Sequence, residues 1–174
     1  MVHLHRDKAI ANPEHLPTLG PDAWGLSACD GPDGYVVGGL FPEPLEMIGA
    51  VPDRDFSTYK AQDHWGGGIV PPYAAASSII FEPGLSLRAM RHYRSLKDAD
   101  GLPLVWRDPE KGGYGFVDSF RGGDEPWRAA DTVAIDVGPM LLLIENARSG
   151  LIWKLFSADP VVRAGLVRLG LGDG

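Results

Sequence analysis

Three short stretches of this sequence place aromatic rings and carboxylates together on glycine-rich backbone. The first runs Trp24-Gly25-Leu26-Ser27-Ala28-Cys29-Asp30-Gly31-Pro32-Asp33-Gly34-Tyr35. A rigid indole beside carboxylates is what a carbohydrate site needs: a flat apolar face for the sugar ring and acceptors for its hydroxyls. The same residues also read as a turn-rich loop, with Asp30 and Asp33 as turn formers, and taken alone they favour that reading. The second stretch, Tyr114 to Phe120, carries Asp118, which equally reads as an exposed residue on a short strand. The third, Trp127 to Pro139, carries Asp131 and Asp136.

Asp136 lies three residues ahead of Pro139, where a helix is expected to begin. Just outside the positive end of a helix a carboxylate is stabilised as the anion, which draws its pKa down and suits a base. A plain capping carboxylate fits the same spacing. Glu145 and Arg148 stand three apart and are expected to pair. Tyr73 is placed either to line a cleft or to pack in the core. Cys29 has no histidine near it in sequence and reads as a small buried residue.

The elements that must hold these residues are helices separated by long loops. A short helix is expected at 2–11. From 12 to 70, proline and glycine leave no room for a useful helix. That stretch carries Trp24, Tyr35, Phe41, Phe56, Tyr59 and Trp65, too aromatic to read as disordered. Tyr35-Val36-Val37 suits one strand of a small ribbon. A tight helix follows from Pro72, and another spans about 83–97 with Leu85, Ala89, Tyr93 and Leu96 on one face. Residues 98–130 read as loop. A helix apolar nearly all round starts at Gly138-Pro139 and stops near Gly150. Leu151–Phe156 is helical, and Asp159-Pro160 caps a last helix to about Leu169. The class is mainly α, with about five helices and aromatic-rich loops.

Composition narrows the function. Gly and Pro number 23 and 15 of 174 residues, well above ordinary usage. The net charge of −7 argues against a nucleic-acid partner. The apolar run Met140–Ile144 is far too short to span a bilayer. One cysteine excludes an internal disulfide framework, and the five histidines have no metal-ligand spacing. No metal and no cofactor is expected. No nucleophile elbow or phosphate-binding glycine loop is present.

The stretch Trp24–Tyr35 resembles the WGL-T-A-S-DGPDGY segment of the glucoamylase-like family. Pro72–Ser78, Tyr114–Phe120, Ile135–Pro139, Ile144–Trp153 and Pro160–Gly170 follow in the order of that family. Val137 stands where the family usually has Gln, and Ala147 where it usually has Tyr. The resemblance includes glycoside hydrolase family 144, of endo-β-1,2-glucanases, and a domain of cyclic β-1,2-glucan synthases. It implies an (α/α)6 toroid of six helical hairpins. Twelve helices need well over 300 residues, so residues 1–174 are expected to form a single, incomplete domain, its C-terminal part.

The resemblance further implies a glycoside hydrolase acting on a β-linked glucan, β-1,2-glucan first. Asp136 is then the carboxylate this chain contributes, with Asp118 and Asp131 as second choices and the proton donor elsewhere. Trp24, Asp30, Tyr73, Asp118, Trp127 and Asp131 would bind sugar. The alternative is a non-catalytic carbohydrate-binding or interaction remnant. Expected partners are an oligo- or polysaccharide, and either the N-terminal half of the domain or a second copy of the chain. The family implies a periplasmic or secreted protein, and a true start at Met1 a cytoplasmic one. An exposed apolar patch is expected where the helices of the other half would dock.

Overall fold

Proline and glycine set most of the element boundaries. The computed structural model describes residues 2–32, 34–37 and 68–172. The expected loop aromatics Phe41, Phe56, Tyr59 and Trp65 lie outside the described residues, as does Asp33. Among those described there are six α-helices: α1 (Val2–Ala11), α2 (Pro72–Ser77), α3 (Pro83–Ser95), α4 (Ala134–Ser149), α5 (Leu151–Ala158) and α6 (Pro160–Arg168). The mainly-α expectation matches this architecture.

Both α2 and α3 begin with proline, whose fixed φ suits the first turn and whose missing N–H costs nothing there. A 3-10 turn, Ser78–Ile80, carries α2 toward α3. The last helix, α6, starts as expected: the Asp159 side chain accepts from the backbone N–H groups of Val161 and Val162. Gly150, at φ 68, ends α4 and opens α5.

Two expectations need correction. The fourth helix starts at Ala134, not at Gly138-Pro139, so Pro139 lies inside it. Backbone bonds from Asp136 and Val137 to the carbonyl of Val133 establish the first turn before the proline is reached. Segment 98–130 is not plain loop. It holds β3 (Trp106–Arg107) paired with β4 (Gly115–Phe116), and β5 (Phe120–Arg121) paired with β6 (Trp127–Arg128), all antiparallel. Two-residue strands lie below what an alternating hydrophobic pattern reveals. Upstream, β1 (Ala28–Gly31) and β2 (Gly34–Val37) form the expected ribbon, with Asp30 opposite Tyr35.

The core gathers around Tyr93 of α3, which is fully buried with Trp24, Ala89, Val105 and Phe120. Tyr93 meets the Phe120 ring edge-on at 5.3 Å and the Phe116 ring at 6.2 Å. Its hydroxyl donates to the Trp24 carbonyl at 2.8 Å and accepts from the Trp24 N–H at 3.3 Å. That pair fastens the Trp24 segment to α3, across 69 residues of sequence.

Of the C-terminal helices, only α4 reaches this core, through Met140 with Val137 and Ile144 packed against it. In α4 only Met140 and Asn146 are buried, and in α5 and α6 nothing is. Trp153 is 55% exposed and Phe156 65%, with Leu141, Leu142, Leu151 and Leu155 also exposed. The exposed apolar face expected from the sequence is therefore present. No helix is long and apolar enough to cross a membrane among the described residues.

Candidate functional site: a carboxylate cluster

The site is built where β1, the β4–β5 connection, α2 and α4 converge. Backbone bonds fix the β4–β5 connection on both sides of Asp118. Val117 N–H donates to Val105 O at 2.9 Å, and Ser119 O accepts from Ala129 N–H at 3.0 Å. Phe120 exchanges two backbone bonds with Val70. Asp118 is thereby held 4% exposed. Its Oδ2 accepts from the Asp30 N–H at 2.8 Å, and the Ser119 hydroxyl donates to the Asp30 carbonyl. Two neighbouring side chains thus clamp one residue of the β1–β2 ribbon.

The opposite wall comes from α2 and α4. The Tyr73 hydroxyl bonds to Ser27 Oγ at 2.6 Å and to Ala28 O at 2.9 Å. Gly25 allows that approach. Its φ is +101°, and a Cβ there would come within 2.8 Å of the Ala75 backbone nitrogen. Asp136, in the first turn of α4, lies close enough to Asp118 and Tyr73 for both to act on its charge.

The electrostatics reverse one expectation. Asp136 is not drawn down by the helix N-terminus. It is pushed up to about 7, first by burial, then by the hydrogen bond and the charge of Asp118, then by Asp30, while Tyr73 opposes the shift. A helix terminus is worth roughly 0.3–1 kcal/mol to an anion. Two carboxylates in contact cannot both ionise at that level of compensation. The Oδ1 of Asp118 is buried without a donor from the protein. A proton on Asp136 would supply one. Such a group suits an acid near neutral pH better than a base.

Asp30 is also raised, by burial and by the charges of Asp118 and Asp131. Burial pushes the Tyr73 phenol up to about 12, so it remains a donor. Cys29 is buried, and its thiol is likewise pushed up to about 12, by burial and then by Asp118. It is no nucleophile, as the sequence suggested. Glu145 pairs with Arg148 at 2.8 Å, the expected helical contact.

Asp30, Tyr73, Asp118, Asp131 and Asp136 therefore share one electrostatic neighbourhood, with Asp131 exposed at its rim. Trp127 is half-buried on β6, opposite Arg121. Trp24 is 1% exposed and packs in the core beside Tyr93, where it also contributes to the wall of the neighbouring cleft. A cleft of about 600 Å³ opens at Tyr73, with Trp24, Ser27, Ser78 and Phe81 also in its wall; the carboxylates of the cluster do not line it. Sequence reasoning missed Ser27, Ser119 and Gly25. Of these, only Gly25 left a signal, a glycine directly after a tryptophan in a turn-rich stretch.

The chain is a mainly-α scaffold presenting clustered carboxylates, and comparison with known proteins gives its family. A family model described as "Putative glucoamylase" matches residues 1–160, and the chain belongs to that family. It is 27% identical over 169 residues to an exo beta-1,2-glucooligosaccharide sophorohydrolase (non-reducing end) of Parabacteroides distasonis. That match takes in 97% of this chain and 19% of the relative. An endo-beta-1,2-glucanase from Chitinophaga pinensis, solved with sophorotriose and glucose, superposes with a TM-score of 0.70 at 34% identity. The superposition covers 97% of this chain and 33% of that one. A structure of the same family from Bacteroides caccae gives a TM-score of 0.72 at 35% identity, covering 98% and 33%. The chain thus spans between a fifth and a third of the length of these relatives.

Proposed function

We propose that this chain carries the acid side of a glycoside hydrolase site for a β-linked glucan, with β-1,2-glucan as the preferred substrate. The observation that carries the reading is the Asp118–Asp136 pair, in which burial and Asp118 push Asp136 up to about 7. Glycoside cleavage needs one carboxylic acid to protonate the leaving oxygen and one carboxylate to act on the anomeric carbon, directly or through water. In this reading Asp136 gives its proton to the glycosidic oxygen as the C–O bond breaks. The charge left behind spreads over the pair and is met by the Tyr73 hydroxyl. Water supplies hydroxyl to the anomeric carbon and returns a proton. Asp30 and Asp131 accept from sugar hydroxyls, and Trp127 lies at the same rim.

The linkage rests on the β-1,2-glucan activities named for the Parabacteroides and Chitinophaga relatives. The architecture follows the same logic. We take residues 1–174 as one domain's C-terminal part, a portion of an (α/α)6 toroid whose other helices cover the apolar face of α4–α6. The carboxylate acting on the anomeric carbon then belongs to the remainder.

Release of reducing ends from β-1,2-glucan by this chain joined to the remainder of the domain, against β-1,3- and β-1,4-glucans as controls, tests this reading. Release from the β-1,2 polymer alone, lost by at least about a hundredfold in Asp136→Asn, is the expected result. Equal release by the variant overturns the assignment of Asp136. Binding of β-1,2-gluco-oligosaccharide without any release favours instead a non-catalytic carbohydrate-binding role.

A further inference from the structure

A second cleft shares no lining residue with the carboxylate cluster and has the opposite charge. Its volume is about 680 Å³, and Arg94, Lys97, Arg107, Lys111 and Arg128 line it against one carboxylate, Asp108. The protein as a whole carries a net charge of −7, so this concentration of cations runs against its composition.

Asp108 does not neutralise the group. Its Oδ1 accepts from the backbone N–H of Glu110 at 3.0 Å, capping the 3-10 turn Pro109–Lys111. None of the five cations forms an ion pair among the described residues. Structural duties use only part of their donor capacity. Arg128 donates from one terminal nitrogen to Pro103 O and Leu104 O, and Arg107 donates from one to Ala129 O at 3.4 Å. A guanidinium has five N–H donors, so each retains free ones. Arg94 stacks on Trp106, its guanidinium carbon 4.3 Å from the ring centroid, which orients that fork at the cleft wall. The C-terminus of α3 accounts for attraction of Arg94 and Lys97, but not for Arg107, Lys111 and Arg128, which come from three other segments.

We propose that this cleft binds a phosphate group, through bidentate contacts from Arg107 and Arg128 and point-charge contacts from Lys97 and Lys111. Planar guanidinium forks match a tetrahedral oxyanion, and lysines add charge without fixing geometry. The cleft is large enough for a phosphate carried on a small polar molecule as well as for the free ion. Occupancy does not depend on the carboxylate cluster, so this proposal stands or falls separately from the glucan reading.

Calorimetric titration of the 174-residue chain at low ionic strength tests it, with inorganic phosphate, glucose 6-phosphate and glucose as probes. Saturable binding of a phosphate-bearing probe, absent for glucose, is expected. Lys97→Gln combined with Lys111→Gln should weaken it by about tenfold. Both lysines are exposed, which makes loss of folding an improbable cause. Arg91→Gln, on α3 but outside the cleft, should leave it unchanged. Tighter binding of glucose 6-phosphate marks a phosphate carried on a sugar, and equal binding marks the free anion. The proposal is overturned if neither phosphate probe binds, if glucose binds as well, or if Arg91→Gln weakens binding as much as the lysine pair.

Discussion

Asp118 and Asp136 stand 18 residues apart in sequence and yet act on one another's charge, and the chemistry proposed here depends on that proximity. Its consequence for stability has a definite sign. The Asp136 pKa is raised on folding, so between the ordinary carboxylate range and about pH 7 the folded chain holds a proton that the unfolded chain has lost. The stabilisation this gives is present at pH 4 and disappears as pH rises to 7. Asp118→Asn should reduce this dependence, leaving the part that burial causes. Asparagine keeps an oxygen for the Asp30 N–H and offers an N–H to the Asp136 carboxylate. The variant should therefore melt higher than wild type at pH 8, by on the order of 1 kcal/mol, while losing hydrolysis. Thermal melts at pH 5 and pH 8 check this, and a lower melting temperature at pH 8 would contradict the effect assigned to Asp118. None of this was legible in the sequence. The spacing marked Asp136 as a carboxylate near a helix start, and from that alone its pKa should have fallen. The opposing effects were burial first and then Asp118, whose position depends on backbone bonds of its neighbours to Val105, Ala129 and Val70 that no local pattern encodes.

At the scale of elements, positions marked by proline, glycine or a cap were read closely, and those decided by distant pairing were not. Asp159-Pro160 and Gly150 marked their helix boundaries because capping is a local interaction. Pro139 misled, because α4 gains its first turn from Val133 before the proline interrupts it. Gly25 connects this scale to the site. Gly25→Ala adds a Cβ against the Ala75 nitrogen and forces a side chain to φ +101°. It should cost about 2 kcal/mol or more and move Ser27 away from Tyr73. Denaturant melts would measure the first effect. A rise in KM for glucan exceeding any fall in kcat would report the second. Asp159→Ala should behave differently. It removes the cap of an exposed helix, so faster hydrogen exchange confined to residues 160–168 is expected, with the global melt nearly unchanged.

Over the whole molecule, one core organised by Tyr93 coexists with a C-terminal trio of helices that buries little. Exposed apolar surface of this kind drives association. The purified chain should show concentration-dependent self-association by sedimentation, and Trp153→Glu with Phe156→Glu should reduce it without lowering the melt. A monomer at all concentrations would mean that the α5 face attracts no partner. The carboxylate cluster lies at the joint between these two parts, with Asp118 in the core and Asp136 on α4. Its proton is thus a direct report on whether the fold brings them together. The decisive measurement is the carbon-13 carboxyl titration of Asp136 by NMR, in wild type and in Asp118→Asn. A midpoint near 7 in wild type, falling toward the ordinary carboxylate range in the variant, is the predicted result. A wild-type midpoint near 4 would mean that burial and Asp118 do not raise Asp136 and that Asp136 is not the acid.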